Sequence, residues 1–188
     1  MNSEPKIRLA SDEDLDFVTQ VDLEDEGITN AIPGQGSFDQ HRCRMQEFLR
    51  GDGAAWIIEI SGVSRPAGVI MCRFRHLEAE EPIEENLFLL KYLPRDTFPT
   101  VGRFTEIYQL WVDPAFRRRG FASTLKQHLE SESMKRGITQ IYTHTEQLHV
   151  VQMNLNLGYR VVREGPMWDE IIRVSLVKDF ETMPREHR

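Results

Sequence analysis

Apolar and polar positions alternate briefly from Ile7 to Leu9 before the period lengthens, which predicts a short strand feeding a helix. Ser11, followed three residues later by Asp14, marks that helix start as a capping box. Phe38, Met45, Phe48 and Leu49 recur at roughly helical spacing and predict a second helix over 38–50, ended at Gly51. The intervening stretch from Glu26 to Ser37 carries three glycines and a proline and reads as a loop. Two apolar runs, Ala54 to Ile60 and Ala67 to Phe74, flank the segment SGVSRP and read as an antiparallel hairpin.

Residues 76–103 are the least regular part of the chain. Five glutamates fall between Glu78 and Glu85, most simply a solvated face, and the apolar run after them suits a short helix packed on the domain. From Phe104 the pattern sharpens into a strand to Val112, stopped by Asp113-Pro114. Phe121, Leu125 and Leu129 then share one face of a helix over 117–136, with Gly137 as its C-terminal cap. A strand over 138–143, a short helix over 150–157 and strands over 159–163 and 170–177 complete the order β, α, α, β, β, β, α, β, α, β, β. That order predicts a mixed α/β layering in a single domain spanning 1–188, with 76–103 as an irregular insertion.

Composition narrows the class. With 40% hydrophobic and 28% charged residues the chain reads as an ordinary soluble globular protein, and no apolar run approaches the length of a bilayer span. The first residues lack the apolar stretch of a secretory signal, so a cytoplasmic location and no membrane partner are expected. Cys43 and Cys72 are far apart and lack neighbours at metal-ligand spacing, which predicts free thiols and no metal site. A formal charge of −7 argues against a nucleic-acid partner, and against that acidic background Arg117, Arg118 and Arg119 stand out as a local anion site.

The run EIYQLWVDPAFRRRGFA, residues 106–122, carries the chemical signal. A strand stopped at a proline, an arginine-rich turn and a glycine opening a helix together present free backbone N–H groups where an anion can sit. Gly120 lets a phosphate approach the backbone without a Cβ in the way, Ala122 keeps the next position small, and the arginines add charge. The plainer alternative is a solvated helix start.

Arg117-Arg118-Arg119-Gly120-Phe121-Ala122, preceded by Val112-Asp113-Pro114, resembles the coenzyme A signature of the GCN5-related N-acetyltransferases, the GNAT superfamily. The opening IRLASDEDL and the segment LGYRVV from Leu157 are similar to that family as well, so the resemblance covers nearly the whole chain apart from 76–103. It implies a mixed, mostly antiparallel central sheet flanked by helices, and an acetyl-CoA-dependent enzyme that transfers an acetyl group to a primary amine. By the same resemblance the backbone of Leu110, Trp111 and Val112 pairs with the pantetheine arm, and the amides from Arg117 to Ala122 hold the pyrophosphate with Ser123 as an extra hydroxyl.

A base must take the amine's proton, and Glu106, eleven positions before Arg117, matches the glutamate of the histone-acetylating branch. Regular alternation would put Glu106, Tyr108, Leu110 and Val112 on one face of the strand. The bland reading of Glu106 is an exposed strand-end carboxylate. Many members carry a leaving-group tyrosine four residues before the glycine of the LGY turn, and here that position is Asn154, which hydrogen-bonds but donates no proton at neutral pH. Gln147, seven residues earlier, keeps the amide of a pantetheine-contacting asparagine.

Tyr142, Tyr159 or solvent remain as sources of the leaving group's proton. His144 and His149 read first as surface or loop histidines, and Trp168 as core before it reads as a cover on the acceptor pocket. The acceptor is a small-molecule or peptide amine, and oligomeric state, a homodimer included, stays open. Two other functions fit the same loop: an acyl-CoA sensor without catalysis, and an interaction module that binds a phosphoprotein or nucleotide.

Overall fold

The computed structural model describes residues 4–29, 32–77, 92–93, 95–98 and 102–180. Its elements follow the order read from the sequence: β1 (Lys6–Leu9), α1 (Leu15–Asp25), α2 (Gly36–Arg50), β2 (Gly53–Glu59), β3 (Gly68–Leu77), β4 (Gly102–Val112), α3 (Phe121–Lys135), β5 (Gln140–Thr145), α4 (Leu148–Asn156), β6 (Arg160–Pro166) and β7 (Ile172–Asp179). Seven strands form one open mixed sheet in the order β1-β2-β3-β4-β5-β7-β6, flanked by helices. Antiparallel pairing joins β1 to β2, β2 to β3, β5 to β7 and β6 to β7, while β4 and β5 run parallel over Thr105↔Ile141 and Glu106↔Tyr142. The acidic run and most of the apolar run expected within 76–103 lie outside the described residues. Among those described, no helix is long and apolar enough to cross a membrane.

The chain divides into two compact units, the first made of residues up to Arg73 with Tyr108–Leu129, the second of Phe74–Ile107 with the residues from Glu130 on. In the first, the period-2 pattern of β2 sorts its side chains cleanly. Ala55 and Ile57, with Val69 and Met71 opposite them on β3, meet Leu15, Val18 and Val21 of α1 and Met45 and Phe48 of α2 in one buried cluster. Trp56 points the other way, its ring 5.9 Å from that of His128 on α3. The capping box forms as read: the Ser11 N–H donates to Asp14 Oδ2 at 2.8 Å, and Arg8 clamps the same carboxylate at 2.7 Å. Gly51 closes α2, donating to the Glu47 carbonyl.

The core of the second unit gathers Leu93, Phe98, Phe104, Tyr142, Met167 and Val177. Thr105 and Ser133 hydrogen-bond inside it at 2.8 Å, and Lys178 reaches Glu130 at 2.6 Å. Helix α3 ends as expected at Gly137, whose φ of 71° accommodates the turn while its N–H donates to the Met134 carbonyl. Its start differs: the helix begins at Phe121 rather than Arg117, because Arg118 (φ 60°) and Gly120 (φ 84°) are left-handed and cannot continue a right-handed helix.

Candidate functional site

At the end of β4, Asp113 Oδ1 accepts the Ala115 N–H at 2.8 Å and fixes a single 3₁₀ turn over Pro114–Phe116. The two left-handed residues that follow turn the chain into α3, and Thr124 anchors the junction by donating both its N–H and its hydroxyl to the Gly120 carbonyl, at 3.0 and 3.1 Å. The amides of Phe121, Ala122 and Ser123 form the first turn of α3 and have no acceptor within the helix. Arg117, Arg118 and Arg119 are exposed. Arg117 Nε donates to the Val112 carbonyl at 3.1 Å, Arg119 lies over the Phe116 ring at 5.3 Å, and neither contact neutralises its charge. A Cβ built on Gly120 meets nothing within 4 Å, so the space above this backbone is open. The loop therefore offers N–H groups, a helix N-terminus and cationic side chains to an anion of pyrophosphate size.

The strand before this loop departs from regular alternation. The Tyr108 hydroxyl donates to Asp22 Oδ1 at 2.7 Å, Gln109 Nε2 donates to the Val21 carbonyl at 3.0 Å, and the Trp111 ring packs edge-on against Phe17 at 5.8 Å. All three partners belong to α1. Val112, by contrast, shares its side of the strand with Ile58, both flanking the missing side chain of Gly68 at 3.3 Å. Tyr108 and Val112 thus lie on opposite faces, a correction to the single face expected for Glu106, Tyr108, Leu110 and Val112; the parity switches where Tyr108 and the adjacent Gln109 both turn to α1. Gly68 is required here, since a Cβ would stand 2.8 Å from the Trp111 carbonyl oxygen.

Burial, followed by the Asp22 hydrogen bond, pushes the Tyr108 phenol above its ordinary pKa and keeps it protonated. Asp22 also accepts from Arg44 at 2.5 Å, and Asp22, Glu26 and His41 bring their polar atoms within 4.8 Å of one another. Arg44 Nη2 fills the middle of that trio, 2.6 Å from Glu26 Oε1 and 2.8 Å from His41 Nδ1, where a cation would otherwise sit.

In the second unit, Glu106 is 9% exposed in the middle of β4 and accepts from Arg75 Nε at 2.8 Å, which replaces the exposed strand-end carboxylate by a buried, paired one. Tyr142, its register partner on β5, is wholly buried, with its hydroxyl 3.2 Å from Ser175 Oγ and its pKa raised by burial. Tyr159 is buried as well. His144 lies within β5, which runs two residues beyond the expected end, so it is a half-buried strand residue and not a loop residue. Its Nδ1 is buried without a partner among the described residues, its ring stands edge-on to Trp168 at 5.1 Å, and burial, aided by Arg173, pushes its pKa down to about 4. His149 is exposed in the first turn of α4.

Trp168 is 42% exposed and carries Arg173 over its ring at 4.3 Å. Gln147 is the exposed N-cap of α4, whose carbonyl accepts the N–H of Val150 and Val151. Asn154 is 0% exposed, and neither its Oδ1 nor its Nδ2 has a hydrogen-bond partner among the described residues. A buried primary amide with both ends unmet costs free energy unless something else meets them. Sequence reasoning missed Arg75, Asp22 and Arg44. The one available signal was the pair Arg73 and Arg75 alternating with Cys72 and Phe74 along an otherwise apolar strand, a pattern that calls for a carboxylate opposite.

The chain belongs to the acetyltransferase (GNAT) family, whose model matches residues 23–155. No curated protein sequence matches it. Its fold is similar to that of Arabidopsis thaliana NAA60 in complex with a bisubstrate analogue, at a TM-score of 0.65 and 16% identity, with 96% of this chain and 100% of that one covered. It is also similar to yncA, a putative acetyltransferase from Salmonella typhimurium with acetyl-CoA (TM-score 0.64, 15% identity, 97% and 98% covered). A third is the ribosomal-protein-S18-alanine N-acetyltransferase of Escherichia coli (TM-score 0.62, 13% identity, 98% and 99% covered).

Proposed function

We propose that this acetyltransferase takes its acetyl group from acetyl-CoA and delivers it to a primary amine of a small molecule or peptide by direct attack in a ternary complex. The observation that carries the reading is the left-handed pair Arg118 and Gly120 at the start of α3, with open space over Gly120 and three arginines around it. In this reading the amides from Arg117 to Ala122 and the Ser123 hydroxyl hold the pyrophosphate, and the backbone of Leu110, Trp111 and Val112 pairs with pantetheine. Gln147 supplies an amide to the same arm, and the unmet amide of Asn154 binds pantetheine or the sulfur. The amine nitrogen attacks the thioester carbonyl, the C–S bond breaks as the C–N bond forms, and the amine's proton passes to Glu106, directly or through water. CoA departs as thiolate and takes its proton from solvent, since Tyr142 and Tyr159 are buried in the second unit's interior.

Asn154, where a proton-donating tyrosine is common in the family, keeps a second reading alive: coenzyme binding without transfer. One experiment separates the two. Acetyl-CoA raises the melting temperature in both, by about 2.7 kcal/mol of stabilisation at a hundredfold excess over Kd. Thiol release on adding polyamines, aminoglycosides, amino acids or peptide N-termini occurs only in the first. A protein that acetyl-CoA does not stabilise removes both.

A further inference from the structure

We propose that the cleft between α1 and the β2–β3 turn binds a flat organic cation, the guanidinium group of a ligand, and that Arg65 of the turn fills it in the free protein. Glu13, Phe17, Gln20 and Glu24 recur along one face of the chain entering and forming α1, and with Ser64, Arg65 and Pro66 they line an open cleft of about 440 Å³. Phe17 and Trp111 make an edge-on aromatic pair. The Arg65 guanidinium carbon stands 5.6 Å from the Phe17 ring centre and 5.2 Å from that of Trp111, with Nη2 3.6 Å from Glu24 Oε1. Two ring quadrupoles and a carboxylate converging on one guanidinium are the chemistry that selects a planar cation.

Arg65 is a loose occupant. Its side chain is 48% exposed, its contact to Glu24 is longer than a hydrogen bond, and exposed pairs of this kind contribute little. Glu13 adds a second carboxylate to the cleft, whereas Asp14 is already committed to Arg8. A ligand bearing the same head group therefore competes on even terms with the chain's own residue and gains Glu13 besides. The inference does not depend on acetyl transfer, because it uses the Trp111 ring, whereas the proposed coenzyme site uses only that residue's backbone, and the other residues of the cleft lie outside that site.

The test follows the Trp111 indole N–H resonance in nitrogen-labelled protein, assigned through Trp111→Phe, during titration with ethylguanidinium and, separately, with acetylated arginine amide. Arg65→Ala removes the internal competitor, so both probes bind it saturably and tighter than they bind the parent, by about twofold for a competitor on even terms. Tighter binding of the arginine amide than of ethylguanidinium assigns the site to a peptide side chain, and equal binding to a free guanidine. Adding Glu24→Gln to Arg65→Ala reverses most of the gain. A non-saturating shift in Arg65→Ala, parental affinity in that variant, or undiminished affinity in the double variant overturns the proposal. Melting curves establish that each variant is folded, and Arg65→Gln carries the same expectation should Arg65→Ala fail to fold.

Discussion

Arg75 Nε lies 2.8 Å from Glu106 Oε2, so the carboxylate proposed to take the amine's proton is held at a fixed azimuth by a guanidinium from the neighbouring strand. The ion pair holds the carboxylate in one orientation and leaves its second oxygen for other partners. A purely structural carboxylate and a catalytic one both suit this arrangement, and kinetics distinguishes them.

Glu106→Gln keeps the shape and removes the base. We expect kcat/KM at neutral pH to fall by about a hundredfold or more, with acetyl-CoA affinity nearly unchanged and part of the rate recovered at alkaline pH, where more amine arrives neutral. The cost to stability stays near about 1 kcal/mol, since Arg75 is a quarter exposed and water replaces part of the lost contact. Parental activity across the pH range would return Glu106 to a structural role and make the neutral imidazole of His144 the next base to test.

Gly120→Val tests the anion loop. The left-handed φ of 84° strains any L side chain by about 1–2 kcal/mol, yet nothing lies within 4 Å to clash, so the protein should fold. The new side chain would occupy the space assigned to the pyrophosphate, and calorimetry should show no acetyl-CoA binding. Arg118→Ala should weaken binding by less than about tenfold, because most of the proposed grip is backbone. Parental affinity in Gly120→Val would mean the loop is not the coenzyme site.

The order of seven strands and four helices was legible because the elements carry local signatures, unbroken apolar runs for β2 and β3 and helical spacing of apolar residues for α2 and α3. The loop proposed to hold coenzyme stood out for a related reason: binding through backbone needs a glycine, and a glycine among arginines shows in the sequence. What failed was the assumption of regularity. Nothing in EIYQLWV announces that Tyr108 and Gln109 both turn to α1, since the irregularity is imposed by Asp22 and the Val21 carbonyl some 86 and 88 positions away. Arg118 was assigned to a helix because an arginine does not reveal a left-handed φ. His144 looked like a loop residue because β5 outlasts its β-branched stretch, and the Arg75 partner of Glu106 is 31 positions distant, beyond any local pattern.

Asn154 sets stability against activity. Its side chain is fully buried with both polar atoms unmet, so Asn154→Leu removes a desolvation cost of about 1–3 kcal/mol from the free protein while adding apolar contact. The melting temperature without ligand should hold or rise. If the amide serves coenzyme, the same variant should lose about tenfold or more in acetyl-CoA affinity or kcat/KM, and the stabilisation by acetyl-CoA should shrink. A variant that is destabilised yet fully active would show that the amide is structural.

His144 gives the fold a pH dependence whose sign is fixed by the direction of its shift. Burial, with Arg173 nearby, lowers its pKa from 6.5 in the unfolded chain to about 4 in the folded one. Between those values the unfolded state binds a proton that the folded state refuses, so acid favours unfolding through this group. Its contribution to stability is complete above about pH 6.5 and is lost as the pH falls toward 4, by as much as about 3 kcal/mol at 1.36 kcal/mol for each pH unit. Urea titrations of the parent at pH 7 and at pH 5 should therefore differ by more than those of His144→Phe, whose ring keeps the edge-on contact with Trp168 without the titrating nitrogen. Equal pH slopes in the two proteins would show that the imidazole is solvated in solution and free to take a proton.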